Sequence, residues 1–144
     1  MRKLKALVID NSGEMRTRLM DSLRKSGLAE FEFSESEDGV DALLKFDSKE
    51  TDIVFADWNL PRMTGIEFVR KVRSNPKNLH VPIVMVTSEQ TIGRIHEALD
   101  AAGAVAYICK PFTIADLERK LKKVVAAIPE KPAKPPGFFA RLMS

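Results

Sequence analysis

The sequence holds one cysteine, Cys109, so no intrachain disulfide can form and a reducing, cytoplasmic setting is expected. It has no apolar run long enough to span a bilayer. Met1-Arg2-Lys3 imitates the basic start of a secretion signal, but the apolar stretch behind it runs only from Ala6 to Ile9 and stops at Asp10. An excess of one charge is also missing. Basic residues number 23 and acidic residues 20, and a net charge of +3 is too small to argue for nucleic acid without a concentrated patch. The basic groups that do cluster, such as Arg70-Lys71 with Arg73, and Arg119-Lys120 with Lys122-Lys123, are interleaved with apolar residues as on solvated helix faces. There is no internal repeat. A chain of 144 residues with 44% apolar content fits one globular domain and leaves little room for a second.

What is present is organised around residues 53–65. Ile53 to Ala56 is a short apolar run, too short for a helix and suited to a strand buried on both faces. It stops at Asp57, which places a carboxylate at the strand's carboxyl end, where open α/β sheets carry their ligand crevice. Asn59, Leu60-Pro61 and Thr64-Gly65 then supply loop and turn chemistry. The same pattern recurs along the chain. Ala6 to Ile9 reads as a strand ending in Asp10 and Asn11, Phe31 and Phe33 as a short second strand, Pro82 to Thr87 as a fourth and Ala104 to Cys109 as a fifth. Helices are predicted over 14–26, from Val40 to near Lys49, from Ile66 to about Ser74, over 92–102 and over 113–128. Ser12 and Gly27 would cap the first, and Thr113 with Asp116 would form a capping-box variant on the last. Strands alternating with helices imply an α/β fold: a doubly wound, five-stranded parallel sheet with helices on both faces. Residues 1–128 would form this domain. Residues 129–144, rich in proline and ending in Phe138, Phe139, Leu142 and Met143, are expected to be a flexible tail with an apolar tip, a candidate docking element.

Four predicted strands end in polar groups: Asp10 with Asn11, Asp57, Thr87 with Ser88, and Lys110. A parallel sheet brings these ends to one edge. Two neighbouring carboxylates repel unless a cation lies between them, and hard oxygen ligands beside phosphate chemistry suit Mg²⁺. A carboxylate there can attack a phosphoryl group to give an aspartyl phosphate, with a lysine and a hydroxyl holding the phosphoryl oxygens.

On these residues the chain resembles the response-regulator receiver domains, and among them the CheY-like single-domain regulators. The likeness runs from residue 4 to about 128. It is carried by Val8-Ile9-Asp10, Glu37-Asp38-Gly39, Asp57-Trp58-Asn59-Leu60-Pro61, Met63 with Gly65, Met85-Val86-Thr87 and Lys110-Pro111-Phe112. The resemblance implies strand order 2-1-3-4-5, a phosphoacceptor at Asp57, and phosphoryl-binding and switch roles for Thr87, Ser88, Lys110 and Tyr107. It also implies a cis Lys110-Pro111 peptide and a Mg²⁺ site of Asp10, Asn11, Asp57 and the Asn59 carbonyl. Implied partners are a histidine kinase or phosphotransfer protein and a downstream protein target on the 92–128 face.

One position departs from the pattern. Receivers usually carry a second acid where this chain has Asn11, so Mg²⁺ affinity is expected to be weakened. The leading expectation is a stand-alone switch of two-component signalling, with chemotaxis among its possible pathways, that is not a conventional enzyme. The competing one is a degenerate receiver acting as a phosphorylation-independent interaction module. A haloacid-dehalogenase-type phosphatase would need Asp-x-Asp where this chain has Asp57-Trp58-Asn59, and Asp10-Asn11-Ser12-Gly13 is a poor flavin phosphate loop.

Overall fold

The computed structural model describes residues 1–130, so all but Pro129 and Glu130 of the expected tail lies outside the described residues. The elements run β1 (Lys3–Ile9), α1 (Gly13–Ser26), β2 (Glu30–Ser36), α2 (Gly39–Lys45), β3 (Ile53–Ala56), α3 (Gly65–Arg73), β4 (Ile83–Thr87), α4 (Ile92–His96), β5 (Ala106–Cys109) and α5 (Ile114–Ala127). The strands form one parallel sheet in the order β2-β1-β3-β4-β5, with β3 at its centre.

Alternation along β3 divides the core. Ile53 and Phe55 face α1 and α5, packing with Leu19, Leu23, Leu117 and Leu121. Val54 and Ala56 face the opposite side, among Phe68, Val69 and Met85. Phe55 and Phe68 are essentially inaccessible. Truncating either to Ala would cost about 3–5 kcal/mol, because the neighbouring elements are too constrained to collapse into the void.

The sequence-predicted boundaries shift in several places. β2 extends through Ser34-Glu35-Ser36, which an edge strand tolerates because one side meets solvent. α2 stops at Lys45 rather than near Lys49, where Phe46 turns extended and caps it. A 3₁₀ turn, Pro76–Asn78, follows α3, and β5 begins at Ala106 rather than Ala104. On α5 Val125 is buried, and the half-buried Val124 packs against the same core. The expected fourth helix is two pieces: α4, then a π-helical segment Glu97–Ala102 ended by Gly103 at φ 98°. No helix among the described residues is long and apolar enough to cross a membrane.

Candidate functional site

The strand register builds the site. Ile9 pairs with Ala56, so the next residues, Asp10 and Asp57, leave adjacent strands side by side, and the Asp57 amide donates to the Ile9 carbonyl at 3.0 Å. Thr87 pairs with Cys109, and the Lys110 amide donates to the Thr87 carbonyl at 2.9 Å. The Lys110 side chain then reaches back to the carboxylates. Its Nζ lies 2.5 Å from Asp10 Oδ2 and 3.1 Å from Asp57 Oδ2. Burial pulls the Lys110 pKa down, but the hydrogen bond to Asp10 and the fields of Asp57 and Asp10 outweigh it, so the ammonium is held above its ordinary value. The Lys110-Pro111 peptide is cis.

The remaining carboxylate oxygens take local donors. Asp10 Oδ1 accepts the Ser12 amide at 2.8 Å, and Asp57 Oδ1 accepts the Asn59 amide at 3.3 Å. Arg16 on α1 donates to the Asp10 carbonyl at 2.5 Å and to Glu35 at 2.9 Å, fixing the backbone under the first carboxylate. Asn59 is exposed. Asn11 is also exposed, and its side chain makes no hydrogen bond among the described residues.

A second set of contacts leads away from the carboxylates. Thr87 is fully buried, and its hydroxyl accepts the Glu89 amide at 3.4 Å. The carbonyl of the same Glu89 accepts the Tyr107 hydroxyl at 2.6 Å. Burial, then the charges of Cys109, Glu89 and Asp57, push the Tyr107 phenol up to about 12. Ser88, in contrast, is exposed and makes no side-chain hydrogen bond among the described residues. The structure therefore brings together Asp10, Asp57, Lys110 and Thr87, links Tyr107 to them through Glu89, and leaves Ser88 and the Asn11 side chain outside the bonded cluster.

The loop after β3 is held by Gly65, which the sequence places in a turn, and by Arg62 and Arg94, which the sequence reading passed over. The Gly65 amide donates to the Trp58 carbonyl at 2.9 Å, and a Cβ on Gly65 would collide with the Asp57 carbonyl oxygen. Arg62 adopts a left-handed φ of 66° and grips both oxygens of Asp38, the α2 cap, at 3.1 and 2.9 Å. The Arg94 guanidinium from α4 lies 4.7 Å from the ring centroid of the buried Trp58, next to Asp57. None of these long-range pairs has a signal in local sequence spacing.

Asp10, Asp57 and the Asn59 carbonyl are hard oxygen donors. Among the described residues there is no cluster of three or more His, Cys, Asp or Glu suited to a metal. Mg²⁺ keeps several waters and binds through one or two carboxylates, so a two-carboxylate set still fits it.

The description of the response regulator receiver domain matches residues 6–122. The chemotaxis protein CheY of Pseudomonas aeruginosa is 37% identical over 121 residues, covering 84% of this chain and 95% of that protein. CheY1 of Helicobacter pylori is 38% identical over 123 residues, covering 85% and 97%. Two solved structures share the fold. The chemotaxis response regulator CheY4 of Vibrio cholerae has a TM-score of 0.72 and 31% identity, covering 87% of this chain and 98% of its own. The receiver domain of a Pseudomonas aeruginosa sensor histidine kinase, with magnesium coordinated in its active-site cleft, has a TM-score of 0.73 and 25% identity, covering 86% and 98%.

Proposed function

The chain belongs to the response regulator receiver domain family, and from that premise we propose that it is a phosphorylation-driven switch that accepts a phosphoryl group on Asp57 and signals by binding a protein partner. The donor is a phosphohistidine on a histidine kinase or phosphotransfer protein, in the cytoplasm. Chemotaxis is the pathway favoured by the relatives' names. The supporting observation is the buried lysine bridge: Lys110 Nζ within 3.1 Å of both carboxylates orients Asp57 and holds a cation where phosphoryl charge will arrive.

An Asp57 oxygen attacks phosphorus, an O–P bond forms, and the donor's P–N bond breaks, with the imidazole leaving group taking a proton from solvent. Asp10 and Asp57 with the Asn59 carbonyl would hold Mg²⁺, which would supply charge neutralisation for the transferring group. Lys110 exchanges its Asp57 contact for a phosphoryl oxygen. The Thr87 hydroxyl turns to donate to another, releasing the Glu89 amide it now accepts from. Glu89 also holds the Tyr107 hydroxyl, so the rearrangement passes to the 92–128 face and changes what that surface binds. Hydrolysis of the acyl phosphate resets the switch. The chain thus turns over its own modification and has no separate substrate.

Asn11 favours one alternative, a receiver that binds partners without phosphorylation, because it removes a charged ligand from the metal site. Incubation with acetyl phosphate and Mg²⁺, followed by intact-mass measurement, separates the two. The switch gains one labile phosphoryl group, and a chain that stays unmodified over hours at saturating donor is the inert module.

A further inference from the structure

At the opposite end of the sheet from the carboxylates lies a groove of about 360 Å³ between the 3₁₀ turn, the start of β4, the start of β5 and the last turns of α5. Its lining is mostly apolar, Leu79, Pro82, Val105, Val124, Ala127 and Ile128, with His80 and Lys123 beside them. Leu79 is 61% exposed and Val105 49%, large apolar side chains facing water at adjoining positions. Such a patch marks a surface that something covers.

We infer that this groove is the docking site of the chain's own segment Phe138–Met143. Four observations select that occupant. The chain leaves α5 at the groove itself, since Ala127 and Ile128 form part of its wall. The point of departure is fixed. Arg2 donates to the carbonyls of Val125 at 2.9 Å and Ile128 at 2.5 Å, and its guanidinium approaches Glu130 at 3.9 Å. The seven connecting residues Lys131 to Gly137 can reach at most about 25 Å, which suffices to return to the groove. Past Glu130, the chain's large apolar residues are Phe138, Phe139, Leu142 and Met143, grouped within six positions.

Tethering makes weak docking sufficient. A short covalent tether gives an effective concentration in the roughly millimolar range, so even a contact of millimolar intrinsic affinity is substantially occupied. The groove adjoins β5 and α5, so the docked segment covers the lower end of the 92–128 surface, and a partner seated there competes with it. The inference does not depend on phosphorylation and survives if Asp57 is never modified.

Methyl-labelled full-length protein provides the test. Val105, Val124 and Ile128 methyl shifts are compared among wild type, the double variant Phe138→Ser/Phe139→Ser, and Leu79→Asp. Leu79 is exposed enough for Asp to leave the fold intact, which the unchanged core methyls of Leu117 and Leu121 verify. Docking predicts that the tail variant moves the groove methyls. It also predicts cross-relaxation between the phenylalanine rings and Val124 or Ile128 in wild type, lost in both variants. That signal must persist on dilution and be absent between differently labelled molecules in a mixed sample. Groove methyls indifferent to the tail variant would overturn the inference. So would ring contacts seen only between molecules, which would make a second copy the occupant.

Discussion

Helix α1 leaves the Asp10 side of the site closed at both ends. Ser12 accepts from the Met15 amide, Gly27 takes the left-handed C-cap at φ 73°, and Leu19, Met20 and Leu23 are buried. Helix α4, on the Thr87 side, has five residues, none fully buried, before it passes into the π-helical segment. Its ties are peripheral: Thr91 as cap, Arg94 over Trp58, Glu97 to Arg70 at 3.3 Å, and Arg73 to the Gly103 carbonyl at 3.1 Å. Both helices border one set of strand ends, yet α1 buries Leu19, Met20 and Leu23, whereas α4 buries none of its five residues fully and continues into a segment that buries only the small Ala98 and Ala102, with Ile95 and Leu99 half-buried. Local stability follows buried area, and moving parts come from its low end. The α1 side is therefore the fixed jaw of the site and the α4 side the compliant one.

The contrast collapses if the central strand does not carry the chemistry. Asp57→Asn should abolish labelling by acetyl phosphate completely, as read by intact mass. Labelling that continues undiminished would remove the central claim. Hydrogen exchange sharpens the comparison next. Amides of 92–102 should exchange at least about a hundredfold faster than those of 19–23, equivalent to ~3 kcal/mol of local stability. A phosphoryl mimic such as beryllofluoride should shift amides of 87–110 and spare α1, and shifts concentrated on 14–26 would reverse the roles of the two jaws.

Tyr107 probes the compliant side through pH. It is the chain's single tyrosine, so tyrosinate absorbance reports on it alone. Its midpoint should fall near 12 rather than 10.0. A phenol whose pKa is raised on folding stabilises the fold fully below the unfolded value, and that contribution disappears as pH climbs from 10.0 through 12. A midpoint at the ordinary value would mean that the ring is not held inward against Glu89.

The fixed side is tested at Asn11. Replacing the neutral amide with an acid restores a charge opposite Mg²⁺, worth roughly 1–3 kcal/mol after desolvation. Asn11→Asp should therefore bind Mg²⁺ about 10–100-fold more tightly in a titration followed by Trp58 emission. Equal affinities would place residue 11 outside the metal's inner shell. The smallest expected effect is at Arg94. Arg94→Ala should cost about 0.5–1 kcal/mol, the usual worth of an exposed cation–π contact, and should alter Trp58 emission. Unchanged emission would show that α4 does not sense the loop beside Asp57.

The strands and the site residues at their ends were legible because both signals are local. An apolar run that stops at Asp57, or at Thr87, announces a buried strand and the polar residue at its carboxyl end in a few consecutive residues. The capping box at Thr113 and Asp116 could be read for the same reason. The end of α2 misled because Phe46 continues the apolar pattern while its backbone has already turned extended. The π-helical segment is invisible in the sequence, since a shift of hydrogen bonding to the fifth residue alters neither composition nor apolar spacing enough to detect. Arg16, Arg62 and Arg94 carry no local signal of their partners, and only the fold brings them to Asp10, Asp38 and Trp58.

The Lys110 bridge makes the resting site an internal salt: one fixed ammonium shared by two fixed carboxylates, with one negative charge left over. Mg²⁺ entering such a site does not find bare anions. An ion held by Asp10 and Asp57 would compete with a tethered counterion, and binding would be an exchange in which the lysine gives up part of its hold. Phosphorylation of Asp57, as proposed, would reverse the balance by adding charge and drawing the lysine in again. Lys110 would then act as a ballast cation that keeps the pocket near electroneutrality in each state. Shortening or neutralising it should raise affinity for Mg²⁺ while lowering the lifetime of the phosphorylated form.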